Sequence, residues 1–147
     1  MKTLIIVLII VSFTESTILP IDLVLIILIA RSYIRSDKSN LWLAFSFGLL
    51  SSNLNLTALG IQSLIYLTLV AVSEGLSKSR LAGNSFLIIP LSFVLLSLNQ
   101  LIFASFLSES FLFPKIVLEA IFSLPILYLI RLWEERFIVQ KEIKLRV

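Results

Sequence analysis

Asp22 and Glu119 stand inside or beside long apolar runs of this 147-residue chain, a setting in which a carboxylate invites proton transfer or cation binding. Either chemistry needs partners, and the sequence supplies few. Cysteine and histidine are both absent, which removes thiolate nucleophiles, imidazole bases, disulfides and the usual nitrogen or sulfur metal ligands. No nucleophile–base pair is visible among the remaining residue types, so the expectation is a non-enzymatic protein with no catalytic residues, metal or cofactor. Each acid also has a structural reading. Asp22 follows Pro20 by two residues and fits a wet helix start near the outer interface, favoured by the helix dipole. Glu119 follows Lys115 by four residues, which puts both on one helix face as a local ion pair. Being deeper and followed by Pro125, Glu119 is the better candidate for a buried contact between helices.

Other polar and small residues point to helix packing. Ala44, Gly48 and Ser52 recur at intervals of four, a small-residue stripe that allows close helix approach where lipid gives no hydrophobic drive for association. The stripe runs into Ser51, Ser52, Asn53, Asn55 and Thr57, a cluster suited to a reversal of the chain. Asn99 and Gln100 lie inside an apolar run, where facing lipid is costly, so at least one is expected to bond another helix or line a cavity.

The elements that must position these residues follow from composition. With 59% hydrophobic and 14% charged residues, the chain is far from a soluble domain, and its apolar runs are continuous rather than alternating. Helices satisfy their backbone internally, so the expected class is an all-α integral membrane protein. Apolar runs at 3–13, 18–30, 41–50, 58–72, 86–107 and 111–132 predict about six short transmembrane helices in three hairpins. The last two runs reach the roughly 20 residues that cross a bilayer core; the first four do so only by borrowing flanking Ser, Thr and Asn. With both ends in the cytoplasm, every Lys and Arg except Lys115 falls on the inner side. Charge disfavours merging 41–72 into one span but permits merging 3–34, against which Pro20 argues by breaking the helix. The start resembles a secretory signal, but 14–17 offers no small-x-small cleavage site, so an uncleaved first helix is expected. Residues 1–132 are then one transmembrane domain, and 133–147 a basic juxtamembrane tail lying on anionic inner-leaflet lipid. The basic residues flank apolar runs instead of forming a soluble face, which points away from nucleic acid.

Pro20-Ile21-Asp22-Leu23-Val24, Phe45-x-x-Gly48-Leu49-Leu50, and Leu59-Gly60 leading into Leu64-Ile65-Tyr66-Leu67 resemble the rod shape-determining protein MreD family. The closing Pro125-x-x-Tyr128-x-x-Arg131 resembles its last helix, so the resemblance spans nearly the whole chain. Gly48 and Gly60 keep the family's spacing, whereas Ser52 stands where the family often has an aspartate. The resemblance implies a multi-pass scaffold of the bacterial cytoplasmic membrane, partnering MreC and the RodA and penicillin-binding synthases that build lateral peptidoglycan. Ala44, Gly48, Ser52, Gly60, Asn99, Gln100 and Glu119 are then packing and partner candidates, with Pro20 and Asp22 at the interface. The alternative is a substrate-binding subunit of an energy-coupling-factor transporter for a vitamin or metal. Such subunits usually carry an Ala-x-x-x-Ala face on the first helix, and 3–13 contains no alanine.

Overall fold

The chain is a bundle of α-helices, with no strand among the described residues, in a computed structural model that describes 2–18, 21–78, 85–108, 110 and 113–145. Of residues 85, 107 and 137–145 it describes the backbone alone. Six helices follow in order: α1 (Lys2–Thr17), α2 (Leu23–Ile34), α3 (Lys38–Leu54), α4 (Ile61–Ser77), α5 (Ile88–Leu107) and α6 (Phe113–Leu145). Ser85–Leu87 form one 3-10 turn that leads into α5. Each apolar run therefore gives one helix. The chain breaks between Thr17 and Leu23, as a six-helix rather than a five-helix reading requires; Pro20, to which that break was ascribed, lies outside the described residues.

Polar residues fix the helix ends. Asp37 is the N-cap of α3, its side chain accepting from the Ser39 amide at 3.4 Å. The Ser51 and Ser52 carbonyls accept from the amides of Asn55 and Thr57, which closes α3 one turn beyond its apolar run. Gly60 begins α4 at φ +94°, a left-handed conformation that a side chain would strain. Two boundaries differ from expectation. The polar stretch 31–40 is mostly helical, because Arg31 to Ile34 complete α2 and α3 starts at Lys38. The tail does not separate at 132 either: α6 runs unbroken through Pro125 to Leu145, 33 residues in all.

The shortest helix is the central one. With 12 residues, α2 measures about 18 Å, too short to cross a hydrocarbon core of about 30 Å unaided. It packs against all five other helices, and residues 24–26 and 28–33 are buried. Around it Leu8, Leu43, Phe47, Ile65, Tyr66, Leu69, Leu95, Leu96 and Ile116 close the main core. Ala30, Tyr33, Ile88, Leu127 and Ile130 form a smaller one at the α2 C-terminus.

Polarity is inverted relative to a water-soluble bundle. Large apolar side chains stand exposed on α1 (Ile6, Ile10, Phe13), α3 (Trp42), α4 (Leu64), α5 (Leu101, Phe106) and α6 (Ile121, Leu129, Leu132). Glu15, Asn40, Gln62, Ser63, Ser73, Glu74, Asn99 and Glu119 are buried. Two helices contain stretches long and apolar enough to cross a membrane, Ile88–Phe106 and Phe113–Arg136.

Candidate functional site: a buried polar cluster at the start of α2

A helix buried in an apolar bundle leaves amide N–H groups at its N-terminus without partners, and each must find an acceptor or lose free energy. At α2 the acceptors come from other helices. Glu119 on α6 accepts from the Asp22 amide at 3.0 Å, and Glu15 on α1 accepts from the Val24 amide at 3.1 Å. Both carboxylates are favoured there by the positive end of the helix dipole. Asp22 itself is the N-cap residue, but its side chain makes no capping bond. It turns toward Asn99 on α5, whose Nδ2 donates to Oδ2 at 3.4 Å, and toward Lys115 on α6, whose Nζ lies 3.8 Å away. Asp22 therefore stands at the helix start that its spacing from Pro20 suggests, but as a half-buried member of a network rather than in open solvent.

Lys115 also lies 3.8 Å from Glu119 Oε1, so the expected i,i+4 pair exists as one edge of a wider cluster. Glu119 is 1% exposed, a burial that a local surface pair would not produce. Below these charges Gln62 Nε2 donates to Ser51 Oγ at 2.9 Å and to the Tyr66 hydroxyl at 3.3 Å, while Thr57 donates to Gln62 Oε1 at 3.2 Å. The polar groups come from six helices or their ends. They satisfy one another, with three exceptions: Ser12 Oγ, Glu15 Oε1 and Asn99 Oδ1 are buried and meet no hydrogen-bond partner.

The opposite end of α2 has the converse problem, carbonyls without donors, and there Ser77 on α4 donates its hydroxyl to the Tyr33 carbonyl at 2.8 Å. One turn earlier Ser73 on α4 donates to the Ile29 carbonyl at 3.3 Å, which also accepts from the Ser32 hydroxyl at 2.9 Å. Asn40 Nδ2 donates to the Arg35 carbonyl at 2.7 Å and to Glu74 Oε1 at 3.0 Å. Arg31, in the last turn of α2, reaches Glu134 on α6 at 3.4 Å. Outside the helices, the bond from the Ser39 amide and the nearby Arg35 and Arg31 hold the Asp37 carboxyl below its usual range.

The small-residue stripe lies elsewhere. Ala44, Gly48 and Ser52 are buried on α3, and a Cβ at Gly48 would stand 2.5 Å from the Ser63 Cα on α4. Ser63 Oγ donates to the Phe45 carbonyl at 3.1 Å across the same seam, and Ser52 Oγ bonds the Ala58 carbonyl at 3.4 Å in the reversal. Close approach is thus used within the chain, between α3 and α4. Gly60 is half-buried with open space around it, and Gln100 is half-buried on α5. Among the described residues no group of three His, Cys, Asp or Glu could hold a metal ion.

Sequence reasoning named Asp22, Glu119 and Asn99 separately; the structure brings them together. It missed Glu15, set in the polar stretch between two apolar runs, and Gln62 and Tyr66, hidden within a third. Their signal was the conflict of a carboxylate and an amide with apolar neighbours. The fold and the cluster define a class, an all-α bundle with an apolar exterior and a charged core at one end. Comparison goes no further: no protein-family model matches the chain, and no characterised protein or solved structure is detectably similar to it.

Proposed function

We propose that the protein is a multi-pass component of a bacterial cytoplasmic membrane that acts by presenting a fixed helical surface to partner transmembrane helices, as a non-enzymatic scaffold of the cell-elongation machinery. The observation that carries this reading is the inverted polarity: polar side chains are used to tie helices to one another, and the apolar exterior is left for lipid and neighbours. The MreD-like motifs support it by their positions, Asp22 at the start of the central helix and Gly48 and Gly60 on either side of the α3–α4 reversal. In this orientation the Arg31 end faces the cytoplasm and the Asp22 end faces outward. The partners are an MreC-like protein and the RodA-like and penicillin-binding synthases of lateral wall growth.

Affinity purification of the tagged protein from its native membrane in mild detergent tests the proposal. Recovery of an MreC-like protein with cell-wall synthases is the expected result. Recovery of paired ATPases with a coupling subunit would replace it with the transporter-subunit reading, which the convergence of polar side chains at the Asp22 end favours. That second reading also requires saturable stabilisation by a vitamin, lost on Asn99→Ala.

A further inference from the structure

The helices around α2 fall into two classes by the length of their exposed apolar surface, and each class occupies one flank of the bundle. On one flank α1 packs on α3 and α3 on α4; on the other α5 packs on α6. Exposed apolar side chains extend from Phe86 to Phe106 along α5 and the turn before it, and from Phe113 to Leu132 along α6, about 30 Å of helix in each. On the first flank they extend only from Ile5 to Phe13 on α1, from Trp42 to Phe45 on α3 and from Leu64 to Val72 on α4, about 12 Å or less. Polar ends enclose this short band. The α3–α4 hairpin carries exposed Lys38 and Lys78 at one end; at the other, residues 55–60 leave the helices, and Asn53 and Asn55 are exposed. Ile18, Leu56 and Leu59 are exposed at that end too, but on backbone outside the helices, which hydrocarbon does not accept. Even counted to their last residues, α3 and α4 have 17 residues each, about 25 Å, against a hydrocarbon core of about 30 Å. Tilt shortens the span further and so widens the gap.

We propose that the flank formed by α1, α3 and α4 binds phospholipids with short acyl chains in preference to long ones, so that the bilayer thins against it, while α5 and α6 face a bilayer of ordinary thickness. The inference rests on the membrane reading proposed above and adds to it the class of lipid that covers one side. A short helix in a thicker layer has two choices. It draws the lipid surface toward its ends, or it sinks charged and non-helical groups into hydrocarbon. The first costs less here, because Lys38, Lys78 and the open backbone of the reversal would otherwise lose their water. Both flanks pack on the same central helix, so the step in thickness falls across the protein itself.

The chain's two tryptophans report the two flanks from the same end of the bundle: Trp42, 76% exposed, near the start of α3, and Trp133 on α6 beside the Arg31–Glu134 contact. Brominated acyl chains quench a tryptophan that they touch. Trp133→Phe leaves Trp42 as the reporter, and Trp42→Phe leaves Trp133. Each variant is reconstituted in equimolar dimyristoleoyl- and dierucoyl-phosphatidylcholine, with either the short or the long species brominated. Trp42 is expected to be quenched about twofold more by the short-chain than by the long-chain lipid, with no such preference at Trp133. An equal or reversed ratio at Trp42 overturns the inference. Absence of quenching at Trp42 by either lipid overturns it by showing that protein covers this flank. Failure of the wild type to float with the vesicles in a density gradient removes the membrane reading and the inference together; flotation with equal quenching removes the inference alone.

Discussion

The two ends of α2 meet one physical requirement with opposite chemistry. At the start, unpaired amides are met by carboxylates from α1 and α6; at the finish, unpaired carbonyls are met by a hydroxyl from α4 and an amide from α3. The first solution meets the helix with charged acceptors; the second meets it with neutral donors, and the charges nearby, Arg31 and Glu74, have their own partners in Glu134 and Asn40. The lesson is that a helix too short to reach water at its ends is completed by its neighbours, and the sign of its dipole selects which residue types they bring.

The largest effect that would break this comparison is expected from Glu119→Ala, which leaves the Asp22 amide without its acceptor inside the bundle and Lys115 with Asp22 alone. A loss of about 3 kcal/mol is expected, read as a lowered unfolding midpoint in mild detergent. A cost equal to that of Glu134→Ala at the other end would erase the distinction, since Glu134 is 14% exposed and its removal breaks one charged contact, with Arg31, worth about 2 kcal/mol. Ser77→Ala should cost about 1 kcal/mol, and Ser73→Ala less, because its bond is longer and the Ile29 carbonyl keeps the Ser32 hydroxyl. Reversal of that order under the same assay would show that the hydroxyls are not completing α2. The smallest effect belongs to Asp37→Ala at the α3 cap, at most about 1 kcal/mol. The sign with pH follows from the lowered carboxyl: its stabilisation is fully present above the ordinary aspartate value of 3.8 and is lost as pH falls through the lower folded value. A wild-type midpoint that falls in acid more steeply than that of the variant is the expected outcome.

Much of the architecture was legible because lipid-like exteriors write themselves as apolar runs. Each run became a helix, and the polar residues flanking 41–50 were drawn into α3, as its shortness demanded. Boundaries were less legible where charged residues continue a helix: Arg31 and the tail beyond 132 read as connectors but lie on α2 and α6. The cluster was legible only in pieces. A spacing of four reveals Lys115 and Glu119, but the bond from the Asp22 amide to Glu119 joins residues 97 apart, and no local pattern encodes it. The stripe on α3 announced close approach correctly as chemistry, while the identity of the approaching backbone, Ser63, depended on the fold.

The unbroken course of α6 has a mechanical consequence. Its 33 residues make a rod about 50 Å long, which carries Lys115 and Glu119 near one end and the basic tail at the other. It is held at both ends of α2, by Glu119 at the start and by Leu127, Ile130 and Glu134 at the finish, so it splints the short central helix along its whole length. Pro125 lies between these two sets of contacts and removes one backbone hydrogen bond without ending the helix. The two ends of α2 are thereby tied to one continuous element.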